Sequence, residues 1–303
     1  MRTLRIGMVL LLCMSATVWA QSNVNDMFEQ IDELYEAERY QEAREILAKA
    51  ESEVSTDQQK AELYWRLSRN TLMLADEAER NGASEGQLLK EFEEGEALAN
   101  RALEYDRDNH FAFYWRASNI GRWGQTKGIV NSLMKAGPMR DDLERAVRAD
   151  SSHADSFYVL GMLYASVPKL ISFGNKEYAV AYSRRAIDAY RGDKTKYSYY
   201  LKLGDHLYQR DWGSRKRQKE ARKMSGDFTG ADDPVERYKY FNAAFDFTEP
   251  QPYSRGGVAD MSDKEEAIAI MEWIVEELQG KSTLTSGQRD NLEEAQAFLA
   301  DWK

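Results

Sequence analysis

Four short segments of this sequence repeat one pattern of side chains, and this repetition constrains the fold more than any other feature. Tyr64–Ser68 and Tyr114–Ser118 are near copies that begin 50 residues apart, and Phe157–Gly161 and Tyr200–Gly204 follow at steps of 43 residues. Each has an aromatic residue, then Leu or Ala three positions later, then Ser or Gly. Residues three and four apart share a helical face. The pattern therefore predicts a series of similar helices that pack on one another.

The repeated segment resembles the first helix of a tetratricopeptide repeat (TPR), a pair of antiparallel helices. Ala-containing segments such as Tyr40–Ala50 and Leu143–Val147 fit the second helix, and turns with Asp, Asn, Ser or Gly separate the helices. Two amphipathic segments, Asp263–Leu278 and Ser286–Trp302, favour a closing hairpin.

We therefore predict an all-α fold, a TPR-like α-solenoid of about four to five antiparallel helix pairs with a C-terminal helical hairpin. The prediction places it in a single domain over residues 21–303, with the clearest repeats over 60–210. The repeat interval exceeds the usual value of about 34 residues. The extra residues fall at 124–137 and 167–174 and include many apolar side chains. We expect these two inserts to fold back as short helices or lids that cover a groove or pore.

The first 20 residues have the pattern of a secretory signal peptide. Arg2 and Arg5 precede the apolar stretch Ile6–Leu12, and Val18–Ala20 resembles a small-x-small cleavage site. We expect cleavage after Ala20 and a periplasmic protein. The one cysteine, Cys13, lies in this segment. The alternative interpretation is a lipoprotein that is anchored through an acylated Cys13.

The charge and the reactive residues argue against several function classes. A formal net charge of −10 disfavours nucleic acid and anionic membrane as partners of the whole surface. The basic run 215–223 is interpreted as a solvated helix face, with an acidic partner or lipid headgroups as the alternative. The three histidines lack metal-ligand spacing, and no nucleophile motif is present. We therefore predict no enzyme activity, no catalytic residues, no metal and no cofactor.

Three segments, 119–128, 153–161 and 167–175, resemble the periplasmic T-component family that is associated with TRAP transporters. This resemblance implies an accessory protein that docks the solute-binding P-component of the transporter, and a homo-oligomer, a trimer in that family. The T-component is a lipoprotein, and the sequence around Cys13 departs from that pattern. The same core is similar, more weakly, to the TPR region of the regulators of microtubule dynamics, which are eukaryotic. The signal peptide favours the first family.

TPR proteins bind with the concave face of their first helices, and helical spacing nominates residues on that face. As a set they would form an aromatic groove with polar anchors, for an apolar or organic-acid-like ligand or an extended peptide. The alternative for each single residue is packing against the next repeat. The alternative function is an envelope scaffold that binds peptides without a small ligand. The nominated residues are Trp65, Arg69, Trp115, Asn119, Arg122, Trp123, Tyr158, Met162, Leu201, Asp205 and Tyr208.

Overall fold

The computed structural model describes residues 24–170 and 172–302, and its regular structure over these residues is helical. The prediction of an all-α, repeat-like fold is confirmed. The predicted signal peptide and Cys13 lie outside the described residues. The described chain contains no strand, apart from one isolated bridge between Gln251 and Ser254. It divides into two compact units, and the division falls between Lys135 and Ala136.

The first unit consists of successive helices joined by short turns, in which α3 packs on α2, α4 and α5. Side-chain caps fix where two of the helices begin. Thr56 and Gln59 form a capping box, and Asn109 accepts a hydrogen bond from the Ala112 backbone N–H. The helices are α1 (24–36), α2 (Tyr40–Glu53), α3 (Asp57–Arg80), α4 (Glu85–Tyr105), α5 (His110–Lys127) and α6 (Ile129–Ala149), within which the division falls.

The core of the first unit begins with α1, although the clear repeats start only at α3. Phe28 and Ile31 of α1 pack with Leu47 of α2 and Leu63 of α3, and each is 5% exposed or less. Burying an aliphatic or aromatic side chain of this size contributes about 1.5–3 kcal/mol. The helix pair α1–α2 is therefore held to α3 by apolar contact.

The second unit contains the remaining repeats and the C-terminal hairpin. Helix α9 packs on α8, α13 and α14, and α13 packs on α14, which confirms the predicted hairpin. Leu201, Leu207 and Ile274 are at most 1% exposed in the shared core. The helices are α7 (Ala154–Ser166), α8 (Lys176–Ala189), α9 (Tyr197–Arg210), α10 (Ser214–Lys223), α11 (Ser225–Gly230), α12 (Pro234–Tyr238), a 3-10 turn (Phe241–Ala243), α13 (Asp263–Gln279) and α14 (Ser286–Trp302).

The two apolar inserts differ in structure. The first, 124–137, forms no separate lid, because it lies in the end of α5 and the start of α6, with Gly128 between them at φ 96°. The second, 167–174, is a loop without helix in its described residues. Its ends meet, since the Asn175 N–H donates to the Tyr164 carbonyl over 2.9 Å. Leu170 in this loop is 98% exposed.

Candidate binding surfaces

The small residues of the repeat pattern lie where neighbouring helices approach closely. The Ser68 hydroxyl on α3 donates to the Gly95 carbonyl on α4 over 2.7 Å, and Asn119 Nδ2 on α5 donates to Ser68 Oγ over 3.1 Å. At Gly161 an added Cβ would lie 2.9 Å from Ser183 Oγ on α8. These contacts explain why the pattern has Ser or Gly at this position, because a larger side chain would hold the helices apart.

Two of the nominated aromatic residues are almost fully covered. Trp65 is 3% exposed and stacks on Phe111 with ring centroids 4.5 Å apart. Trp115 is 6% exposed and meets Tyr35 of α1 edge-on at 6.2 Å. Both tryptophans thus pack against aromatic side chains of neighbouring helices and do not line an open groove.

Three further nominated residues are also buried. Arg69 is 6% exposed, and its Nη2 lies 2.6 Å from Asp32 Oδ1 on α1. Asn119 is 0% exposed and also donates to the Trp115 carbonyl, while Leu201 is 1% exposed in the core of the second unit. These three residues therefore pack inside the protein, which was the alternative to lining a groove.

Arg122 and Trp123, near the end of α5, remain partly exposed at the surface. Arg122 Nε lies 2.8 Å from Asp76 Oδ1, and Arg122 Nη2 also pairs with Glu79. Trp123 Nε1 donates to Glu93 Oε1 over 2.9 Å. We call Arg122, Trp123, Glu79 and Glu93 the α5 surface patch. Its two large side chains have fixed orientations because each is held by acidic partners.

In the second unit the remaining nominated residues are partly buried, and two of them stack on other aromatic rings. Tyr158 stacks on Tyr199 at 4.9 Å, and Tyr208 stacks on Trp302 of α14 at 4.0 Å. Met162 and Asp205 are intermediate in exposure, and Asp205 accepts from Gln209 over 2.8 Å. Helix α14 therefore covers part of the surface that the pattern had assigned to a ligand.

The second unit also contains a buried ionic network that the sequence did not reveal. Glu266 pairs with Arg184 at 2.8 Å and with Arg217, and Asp263 pairs with Arg210 at 2.7 Å and with Arg217 at 3.1 Å. All five side chains are at most 4% exposed. Burial alone would raise the pKa of Glu266, but Arg184 and Arg217 hold it below its ordinary value.

Arg217 belongs to the basic run 215–223, which forms part of α10. The solvated-face interpretation fits its neighbours Arg215, Lys216 and Lys219, which are exposed. It is wrong for Arg217, which is 2% exposed. The partners of Arg217 lie on α13, far along the chain, so the local charge pattern carried no signal of its burial.

Several cavities open in the second unit. One of about 460 Å³ is lined by α10, the 3-10 turn and residues 245–248, and includes Asn242, Phe245 and Phe247. A second, of about 370 Å³, lies beside the insert 167–174. Cavities of this size accommodate small molecules.

Metal and membrane features can be assessed for the described part of the chain. Over residues 24–170 and 172–302, no cluster of three or more His, Cys, Asp or Glu side chains could hold a metal ion. No helix among these residues has the length and apolar character that crossing a membrane requires.

Comparison with known proteins identifies one family. The sequence profile described as "Regulator of microtubule dynamics protein 1-3" matches residues 27–207, more than half of the chain. No curated protein matches the chain significantly. The weaker of the two expected likenesses is thereby confirmed, and the match includes α1 and α2, which lie before the clear repeats. The T-component assignment stays a prediction.

Proposed function

The chain belongs to the family of the regulator of microtubule dynamics proteins 1-3, and we propose that it works by holding a partner protein, without catalysing a reaction. The α5 surface patch carries this proposal. Trp and Arg are the residues most enriched among those that dominate binding energy at protein interfaces. Trp123 and Arg122 are adjacent, partly exposed and already fixed by Glu93, Asp76 and Glu79. Fixed side chains lose little entropy on binding.

The finer proposal concerns the identity of the partner. Segments 119–128, 153–161 and 167–175 resemble the T-component family, and the first of these contains Arg122 and Trp123. We therefore propose that the chain is exported and docks the periplasmic solute-binding protein of a TRAP-type transporter, as a single chain or as a homo-oligomer. An apolar or organic-acid-like ligand would pass between the two proteins.

A pull-down with the mature chain tests this proposal. Immobilised wild-type protein is incubated with periplasmic extract, and bound proteins are identified by mass spectrometry. Recovery of a solute-binding protein is expected, and Trp123→Ala should abolish it while leaving the helical circular dichroism unchanged. Trp212→Ala is the matched control, because Trp212 is also partly exposed but lies between α9 and α10, outside the patch.

Two results would count against the proposal in different ways. If other envelope proteins or peptides bind at Trp123 and no solute-binding protein appears, the chain is a peptide-binding scaffold. If no protein is lost on Trp123→Ala, the α5 surface patch is not the docking surface.

A further inference from the structure

One face of α10 carries cations that the rest of the protein leaves in solvent. With 100° between successive helical residues, five of them lie within an arc of about 120°, opposite the buried Arg217 and Ala221. Among the described residues only Lys223 of this set forms an ion pair, with Glu220. This face therefore concentrates positive charge on an acidic protein. The five exposed cations are Arg215, Lys216, Lys219, Arg222 and Lys223.

The loop 167–174 borders this helix through Trp212. The Lys216 ammonium lies 4.4 Å from the centroid of the Trp212 ring, and Trp212 lines the cavity of about 370 Å³ together with the start of the loop. Burial raises the pKa of the Glu177 carboxyl, and the charges of Lys216 and Lys169 are among those that oppose this rise. Both cations therefore lie near Glu177, and the loop adds Lys169 to the cations of α10.

Leu170 projects from this loop into solvent. It is 98% exposed, and the other large hydrophobic side chain that stands out in this way among the described residues is Met134, at 77%. The loop nevertheless has a defined shape, since the Ser172 N–H donates to the Pro168 carbonyl over 3.0 Å. An apolar side chain of this size is stabilised when it leaves water. Leu170 is therefore in position to be buried by a partner.

We propose that Leu170, Lys169 and the exposed cations of α10 form a docking surface for a membrane that contains anionic lipids. Leu170 enters the boundary between the headgroups and the acyl chains, and the cations contact the lipid phosphates around it. The whole chain has a net charge of −10, so the attraction depends on this local surface.

A lipid surface fits these features better than an acidic protein does. A single projecting leucine can enter a fluid bilayer at any point, whereas a protein partner would need a pocket at the matching place. Lysine and arginine side chains have flexible stems, so they can follow headgroups that move. One apolar anchor beside a basic patch is also a combination that gives membrane binding. This docking does not depend on the α5 surface patch or on the partner proposed for it.

Sedimentation with vesicles tests the proposal on the mature chain, residues 21–303. The chain should bind vesicles of phosphatidylglycerol and phosphatidylcholine, and it should bind phosphatidylcholine alone at least about tenfold more weakly. Arg215→Gln with Lys219→Gln should weaken binding to the anionic vesicles by about twentyfold, since each cation near such a surface contributes about fivefold. Arg44→Gln with Lys49→Gln on α2 is the matched control, because it removes the same charge from two other exposed residues. It should leave binding nearly unchanged.

Labelling at position 170 gives an independent readout of insertion. The one cysteine of the sequence, Cys13, precedes the predicted mature chain, so Leu170→Cys introduces a single thiol for a polarity-sensitive dye. The dye emission should shift to the blue with anionic vesicles, whereas the same dye on Met134→Cys should show no shift. Leu170→Ser should weaken vesicle binding by about tenfold. It should leave the melting temperature unchanged, because Leu170 is almost fully exposed.

Each of three results would overturn the proposal. The first is that anionic vesicles at millimolar lipid do not sediment the chain. The second is that Arg215→Gln with Lys219→Gln binds as well as its control, and the third is that the dye at position 170 stays in water on bound vesicles. If vesicles do not bind and these two substitutions instead abolish self-association in light scattering, the surface docks the acidic surface of a second copy and not a membrane.

Discussion

The side chain of Asn119 on α5 occupies the space above Gly95 on α4. A Cβ built on Gly95 would lie 2.0 Å from Asn119 Oδ1 and 2.4 Å from its Cγ. Asn119 cannot easily move, because its Nδ2 donates to Ser68 Oγ and to the Trp115 carbonyl. The absence of a side chain at Gly95 thus sets how closely three consecutive helices pack.

We therefore expect Gly95→Ala to lower the free energy of unfolding by about 1–3 kcal/mol, the usual cost of overpacking. Gly86→Ala is the matched control in the same helix, since no atom lies within 4 Å of a Cβ there. It should be neutral or stabilise by up to about 1 kcal/mol. Urea denaturation measures both variants, and equal effects would contradict the packing role of Gly95.

The buried network in the second unit should be sensitive to the loss of one carboxylate charge. Glu266→Gln leaves the fully buried Arg184 without its ion-pair partner and removes one of the two partners of Arg217. Breaking a buried pair in this way costs about 3–5 kcal/mol. Thermal and urea unfolding should show the loss.

Glu265→Gln is the control for this experiment. Glu265 is exposed and forms a capping box with Ser262, which glutamine can also form. Its effect should stay below about 0.5 kcal/mol. If the two substitutions cost the same, the network contributes no more than a surface charge does.

His206 makes the stability of the second unit depend on pH. Burial lowers the pKa of His206 to about 3, from an ordinary value of 6.5, and its Nδ1 lies 2.8 Å from Ser183 Oγ. The unfolded chain therefore binds a proton at His206 below pH 6.5 while the folded chain does not. The contribution of His206 to the free energy of unfolding is fully present above pH 6.5, and it falls by about 1.4 kcal/mol per pH unit towards pH 3.

His206→Gln should remove this pH dependence, because glutamine does not titrate. The difference in unfolding free energy between wild type and variant should shrink by about 2 kcal/mol between pH 7 and pH 5. Denaturation series at several pH values measure it. His153→Gln, at the start of α7, is the control. A constant difference across this range would show that the pKa of His206 is the same in the folded and the unfolded chain.

The stack of Trp302 on Tyr208 holds α14 against α9. The rings are 4.0 Å apart and nearly parallel, at 4°, and Phe298 also stacks on Trp302, with ring centroids 4.8 Å apart. We expect Trp302→Ala to lower the free energy of local unfolding of α14 by about 1–2 kcal/mol. Hydrogen exchange over residues 286–302 should speed up, whereas the exposed Gln296→Ala should leave it unchanged.

Part of the candidate site was predictable from the sequence and part was not. Helical spacing placed the repeat aromatics on one face. In the structure Trp65 and Trp115 both contact aromatic residues of other helices. Spacing could not show that Phe111 and Tyr35 cover those rings. It also gave no sign that the loop at Leu170 borders α10, because the two meet at Trp212 only in the folded chain.

The sequence by itself determined the all-α class, the repeat helices and the C-terminal hairpin, because these depend on local spacing, on caps and on small residues such as Gly161 and Gly204. Only the tertiary structure decided which charges and amides are buried. Arg217 looks like one more cation in a basic run until α13 brings Asp263 and Glu266 to it. Burial is a property of what packs on a side chain, and residues far along the chain supply that packing.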